Sequence, residues 1–172
     1  MVNVIIAFCD GSCYNNGLKD KEQKAGIGVY FPGYQAHNIS EPLPFKKKTN
    51  NRAELYAIIR CLERVLEKPE GLPLNNSTEI LIKSDSLLCV NTVTKWMSGW
   101  KKNGWIKGDG KVPENKDLLL RMDALMKSFP YVVRFQHMRG HQKEPKNKES
   151  IEWMDWFGNM ISDKLAGDAA RQ

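Results

Sequence analysis

Thr49-Asn50-Asn51-Arg52-Ala53-Glu54-Leu55 opens the clearest helical pattern in the chain. From Leu55 onward, Ile58, Ile59, Leu62, Val65 and Leu66 recur at the spacing of one helix face, which predicts an amphipathic helix. Thr49, Asn50 and Asn51 supply capping side chains at its start, and Pro69 ends the pattern. Glu54 lies four residues before Ile58 and therefore points along the apolar stripe rather than into water. Upstream, Asn3–Cys9 (NVIIAFC) is a continuous apolar run too short for a helix, as in a strand covered on both faces, and Asp10-Gly-Ser closes it. Gly26–Phe31 and His37–Leu43 make two more candidate strands. Downstream, the strand Glu79–Lys83 is closed by Ser84-Asp85-Ser86, which caps a helix carrying Leu87, Leu88, Val90, Val93, Thr94 and Met97. An amphipathic helix over Asp117–Lys127, a strand over Tyr131–His137 and a final helix complete the order β-β-β-α-β-α-α-β-α. That order predicts an α/β protein, a mixed sheet with helices against its faces, in one domain over residues 1–172.

Four acids fall at sensitive points of this pattern. Asp10 is expected to end the first strand and Asp85 the fourth, at the sheet edge where such folds build their sites. Glu54 lies on an inner helix face, and Asp163, between Ile161 and Leu165, is expected to point inward as well. Each has an ordinary alternative as a cap or turn former. Together, carboxylates near one another and near apolar surface repel, and a fold tolerates them where cations neutralise the cluster.

The remaining composition narrows the class. Lys plus Arg exceeds Asp plus Glu by 26 to 20, a net charge of +6, which favours a polyanionic partner. The excess is concentrated: Lys95, Lys101, Lys102, Lys107, Lys111 and Lys116 stand against Asp109 and Glu114, interleaved with Trp96, Trp100 and Trp105. Trp96 is expected to be ordinary core. Cys9, Cys13, Cys61 and Cys89 lack metal-binding spacing and read as reduced, mostly buried thiols of an intracellular protein, in cytoplasm or nucleus. No apolar stretch reaches membrane-spanning length, and no signal peptide precedes the first strand.

Taken in order, Asp10-Gly-Ser, Thr49-Asn-Asn-Arg-Ala-Glu54, Ser84-Asp85-Ser86, Trp100-Lys-Lys-Asn-Gly-Trp105, Gly140-His141 and Gly158-Asn159 with Asp163-Lys-Leu-Ala resemble type 1 ribonuclease H over essentially the whole chain. The resemblance implies a ribonuclease H-like fold, a mixed five-stranded sheet whose first three strands are antiparallel, flanked by helices. It implies an endonuclease that hydrolyses the RNA strand of RNA–DNA hybrids by two-metal-ion catalysis, giving 5′-phosphate products. The metal ligands would be Asp10, Glu54, Asp85 and Asp163, with two Mg2+ ions and Mn2+ as a substitute, since hard cations take oxygen ligands and substrate phosphate. His141 would assist proton transfer or product departure. His37 and His137 read as structural.

By the same matching, the tryptophan-lysine segment would grip the DNA strand through Trp100, Lys101, Lys102, Trp105 and Lys107. Lys47, Thr49 and Asn115 would hold a DNA phosphate. Asn16, Asn50 and Asn51 would reach the minor groove, where 2′-hydroxyls mark RNA; Asn16, in Asn15-Asn16-Gly17, is equally a turn former. A monomer without a separate hybrid-binding domain or membrane contact is expected. The alternatives are the nuclease domain of a reverse transcriptase and a catalytically silent module that binds hybrids or RNA; a phosphatase or nucleotide-binding domain lacks the glycine-rich loop it would need.

One departure from the family's pattern is the longer span between His141 and Gly158, slightly acidic in composition. Ile151, Met154, Ile161 and Leu165 form one helical stripe if Gly158 is counted within it, with Ser150 as cap. The extra residues are therefore expected to extend the final helix toward its N-terminus by about two turns, the alternative being a left-handed Gly158 in a turn with the extra length in the His141 loop. Mid-helix, Gly158→Ala should then stabilise by up to ~1 kcal/mol.

Overall fold

The computed structural model describes residues 2–172. Five strands, β1 (Asn3–Tyr14), β2 (Lys24–Tyr30), β3 (Ile39–Pro42), β4 (Thr78–Ser84) and β5 (Val132–His137), form one sheet in the order β3-β2-β1-β4-β5. β1, β2 and β3 are antiparallel, whereas β4 runs parallel to β1 and β5 parallel to β4. This is the expected mixed sheet. Five helices accompany it: α1 (Asn50–Leu66), α2 (Leu87–Asn91), α3 (Met97–Lys102), α4 (Lys116–Ser128) and α5 (Ile151–Ala170).

β1 explains the continuous apolar run, because both its faces are covered. Ile5, Ala7 and Cys9 belong to the larger core beneath α1, and Phe8 and Ile6 belong to a smaller core beneath α5. Asp10 does not end this strand. Parallel pairing with β4 stops at Phe8 opposite Lys83, while pairing with β2 continues to Tyr14 opposite Lys24. The apolar run ended where one of two neighbours ended, and polar residues carried the strand onward as an edge. All four cysteines are free, three of them buried.

The predicted stripe holds in part: Val90 and Met97 are buried and Val93 packs against the core, whereas Leu87, Leu88 and Thr94 are exposed, as is Trp96 at 40%. A π-helical turn over Thr92–Trp96 separates α2 from α3. In it the Thr92 hydroxyl donates to the Leu88 carbonyl at 2.7 Å and the Thr94 hydroxyl to the Val90 carbonyl at 2.6 Å. Such a turn shifts the helical phase, so Met97 turns into the core while Trp96 faces out.

The final helix begins where the capping pattern indicated, with the Ser150 hydroxyl accepting the Trp153 N–H at 3.1 Å. Its predicted apolar stripe does not hold in the first turns, where Ile151 and Met154 are exposed. Small residues seat the rest: Gly158, Ser162, Ala166, Ala169 and Ala170 are buried. A side chain at Gly28 would meet the Ser162 carbonyl oxygen at 2.3 Å, so the α5 backbone rests directly on β2.

The expectation for Gly158 is overturned. A Cβ there would lie 2.3–2.4 Å from three atoms of the Phe8 ring, and that ring is 2% exposed and stacked on Tyr30 with centroids 6.0 Å apart. Helix propensity favours alanine, but the overlap forces α5 off the sheet. Gly158→Ala should therefore lower stability by about 1–3 kcal/mol, read as a fall in melting temperature; an unchanged or higher melting temperature would show that the Phe8 ring gives way.

Candidate active site

The acids gather where β1 and β4 part. Ligand oxygens of Asp10, Glu54 and Asp85 all lie within 4.8 Å of one another. Asp10 projects from β1 just past its last pair with β4, and Asp85 follows the last residue of β4. Glu54 arrives on α1, whose start is set by the Thr49 hydroxyl accepting the Arg52 N–H at 3.1 Å. The helix comes so close that a side chain at Gly11 would meet the Glu54 nitrogen at 2.5 Å.

Asp163 differs from its expected place. It is exposed on α5 and stands outside the three-acid cluster, although its charge is felt at both Asp10 and Asp85. A cleft of about 170 Å3 joins Asp163 to His141, Arg139, Gln142, Trp156, Asn159 and Met160. His141 has φ +53°. The preceding residue, Gly140, lies against Asp85, where a side chain would meet Oδ2 at 2.6 Å. His137 ends β5, and its Nε2 lies 3.3 Å from the Asp85 carbonyl oxygen. His37, in a one-turn 3-10 helix, contacts the Glu70 carbonyl at 2.7 Å, far from the acids in the fold.

Electrostatically the cluster is unfavourable. Burial raises the Asp10 carboxyl to about 8, with the charges of Asp85 and Asp163 adding to the rise. Glu54 is raised well above the carboxylate range, first by burial and then by Asp10. Its Oε2 is buried without a hydrogen-bond partner, whereas Asp10 Oδ1 accepts the Gly11 N–H at 2.9 Å. Asp85 is also raised by burial, opposed by His141 and His137 and reinforced by Asp163. Closely spaced, desolvated oxygens with a free lone pair are what a hard divalent cation takes.

The nucleic-acid candidates fall into three groups. Asn51, Trp100, Lys107 and Asn115 line one groove of about 320 Å3 together with Trp96, Leu88 and Cys89. Trp96, assigned to the core from sequence, is thus a groove residue, its ring centroid 6.2 Å from that of Trp100. Trp105, at φ +63°, packs against the main core. Lys101 is paired with Asp123 at 3.0 Å, whereas exposed Lys102 has no carboxylate within 4.0 Å among the described residues. Lys107 stands 3.7 Å from Asp109. Thr49 and Asn115 are tied through Arg52, whose Nη1 donates to Asn115 Oδ1 at 3.3 Å while its guanidinium pairs with Asp117 and covers the Phe45 ring at 4.5 Å. Arg52 was legible only as part of the motif; its role in joining α1 to α4 needed the fold. Lys47 and Asn50 are exposed near this junction, and Asn16 is exposed in the turn after β1.

A family model described as RNase H matches residues 2–171. Ribonuclease H1 of Mus musculus is 31% identical over 169 residues, covering 98% of this chain and 50% of the mouse protein, so the chain spans about half the length of such relatives. Ribonuclease H of Paracoccus denitrificans is 32% identical over 155 residues, 88% of this chain and 90% of that protein. Among solved structures, LC11-RNase H1 in complex with RNA/DNA hybrid superposes with a TM-score of 0.63 at 23% identity, covering 97% of this chain and 96% of that one.

The raised acids give a signed expectation for the metal-free protein. A folded-state value above the unfolded one means that folding takes up protons, so stability is highest at low pH and is lost as pH rises toward the folded value. In chelator, the melting temperature should fall as pH rises from about 5 through about 8, the value to which Asp10 is raised. Asp10→Asn should raise the melting temperature at pH 8 and flatten the slope; a wild-type melting temperature rising over that window would contradict the assignment.

Proposed function

Because the chain belongs to the ribonuclease H family, we propose that it is a metal-dependent endonuclease that hydrolyses the RNA strand of RNA–DNA hybrids and leaves 5′-phosphate ends. The observation that carries this reading is the cluster of Asp10, Glu54 and Asp85, ligand oxygens within 4.8 Å, beside a groove lined by lysine, tryptophan and asparagine. A hybrid is bound by the structural relative LC11-RNase H1, and the groove here, lined by Trp96, Trp100, Asn51, Asn115, Lys107 and Glu114, lies in the lysine-rich segment that suits the same polyanion. A silent binding module has no use for three mutually destabilising carboxylates, two of them buried and the third half-buried. Residues 2–171, matched by one family model, act in this reading as one catalytic domain, and as a monomer.

The family is divalent-metal dependent, and the residues fit such ions: Asp10, Glu54 and Asp85 would hold them, with Asp163 completing the set from α5. Two Mg2+ ions are the proposed complement, replaceable by Mn2+. Bound there, they would neutralise the carboxylates and activate water and phosphate oxygens. The chain's own residues do the rest. Glu54 and Asp10, fixed on α1 and β1, present preorganised oxygens that cost no rearrangement at the moment of reaction. His141, facing the cleft beside Asp163, moves a proton at the departing 3′ oxygen.

Binding is divided among the three groups. Trp96 and Trp100 receive the DNA sugars, with Lys102 and Lys107 meeting phosphates and Trp105 buttressing the loop. Lys101, held by Asp123, contributes less than sequence alone suggested. Thr49, Asn115 and Lys47 hold a DNA phosphate; the amide nitrogen of Asn115 donates to no protein group among the described residues and is available for it. Asn16, Asn50 and Asn51 face the minor groove and read 2′-hydroxyls.

The test is hydrolysis of a labelled hybrid beside DNA and RNA duplexes, with Mg2+ and with chelator. Only the hybrid with Mg2+ should be cut, and Asp10→Asn should abolish cutting while hybrid binding persists; turnover by that variant near the wild-type rate would refute the metal assignment. His141→Ala should lower kcat by ~10²-fold without weakening metal binding. Neutralising Lys102 and Lys107 together should flatten the slope of log affinity against log salt by about one to two units, and an unchanged slope would mean that those lysines do not meet phosphate.

A further inference from the structure

We propose that Trp156 is a positioning residue for His141, and that the N-terminal extension of α5 exists to hold the histidine loop in place. The inference rests on the catalytic reading of His141 given above.

The loop between β5 and α5 is tied at both ends of the histidine. On the incoming side, the Met138 N–H donates to the Ser84 carbonyl at 2.9 Å, which carries the chain past Asp85, and Gly140 presses on the Asp85 carboxylate. His141 then adopts a left-handed backbone, φ +53°. That conformation is uncommon for a non-glycine residue, although histidine adopts it more readily than most. On the outgoing side, two contacts hold it. The Gln142 side-chain amide donates back to the Gly140 carbonyl at 3.0 Å, closing a turn around His141, and the Gln142 carbonyl accepts the Trp156 indole N–H at 3.0 Å.

The anchor is itself braced. Trp153, one turn earlier on the same helix, donates its indole N–H to Glu144 Oε1 at 3.0 Å, so two indoles grip the loop two residues apart. The Trp153 ring stacks on Phe157 with centroids 5.0 Å apart and lies 6.0 Å from the Trp156 ring. Phe157 in turn packs into the small core with Phe8 and Tyr30. The path from His141 to the sheet therefore runs through α5 side chains: Gln142, Trp156, Trp153, Phe157, Tyr30. Trp153 and Trp156 lie in the first two turns of α5, within the extra residues that set this chain apart from the family's pattern. Both pairs would be lost if α5 began at Gly158. A histidine kept near its working place removes the search that a free loop must make before each proton transfer.

The test is a double-mutant cycle on hybrid cleavage in Mg2+. Trp156→Phe keeps a ring and removes the N–H donor. It should lower kcat by about 3- to 30-fold with KM within about 2-fold. In the His141→Ala background the same change should alter kcat by less than about 1.5-fold, because the group being positioned is gone. A merely structural Trp156 would cut kcat by the same factor in both backgrounds, and that result overturns the proposal. A second readout needs no catalysis: the backbone 1H–15N heteronuclear NOE at His141 and Gln142 should fall in Trp156→Phe, and unchanged values overturn the proposal too. Failure of the wild type to cut hybrid would instead defeat the proposed function, and wild-type turnover by His141→Ala would defeat the histidine's role, each distinguishable from failure of the anchor.

Discussion

Like charge out of water is the constraint on which the arrangement turns. Asp10 is 3% exposed and Glu54 9%, and one Gly11 N–H on Asp10 is far too little to offset their mutual repulsion. The backbone around them nevertheless closes in. α1 reaches the sheet over Gly11, Gly140 rests against Asp85, and β1 and β4 separate just before both strands deliver an acid. A protein built for stability alone would place apolar residues here. The fold instead keeps a cluster that bound cations would neutralise, which in the proposed function links its stability to its chemistry.

The two faces of the sheet divide the remaining work. Beneath α1 lies the larger core, where branched side chains fill the space and where the Arg52 contacts fix α4 and the groove beside it. Beneath α5 the packing is closer and relies on absent side chains, with Gly28 and Gly158 bringing helix and sheet into backbone and ring contact. That closeness sets the distance of Asp163 from the other acids. It also gives the α5 extension a firm base from which Trp153 and Trp156 reach the histidine loop. The site is thus flanked by a tryptophan-lined groove on one side and a braced loop on the other. No helix among the described residues is long and apolar enough to cross a membrane.

Local chemistry made much of this legible in the sequence. Helix α1 and its Thr49 cap, the strands around the acids, the mixed sheet and the Ser150 start of α5 all follow from periodicity, capping and turn residues, which act over a few positions. The identity of the acids was readable because Asp10, Glu54 and Asp85 interrupt apolar patterns. Other features depend on residues far apart in the chain, and periodicity carries no record of them. Asp10 sits inside its strand because β2 continues where β4 stops. Trp96 is outside because two threonines bond back to carbonyls and turn the helix by a fraction of a residue. Lys101 is occupied because Asp123 arrives from another helix. Glycine 158 reads as a replaceable helix residue until the Phe8 ring is found above it. Sequence by itself determined which elements form and which residues are candidates for the chemistry; tertiary structure alone decided which partners those residues meet, because side-chain contacts are set by the packing of distant segments.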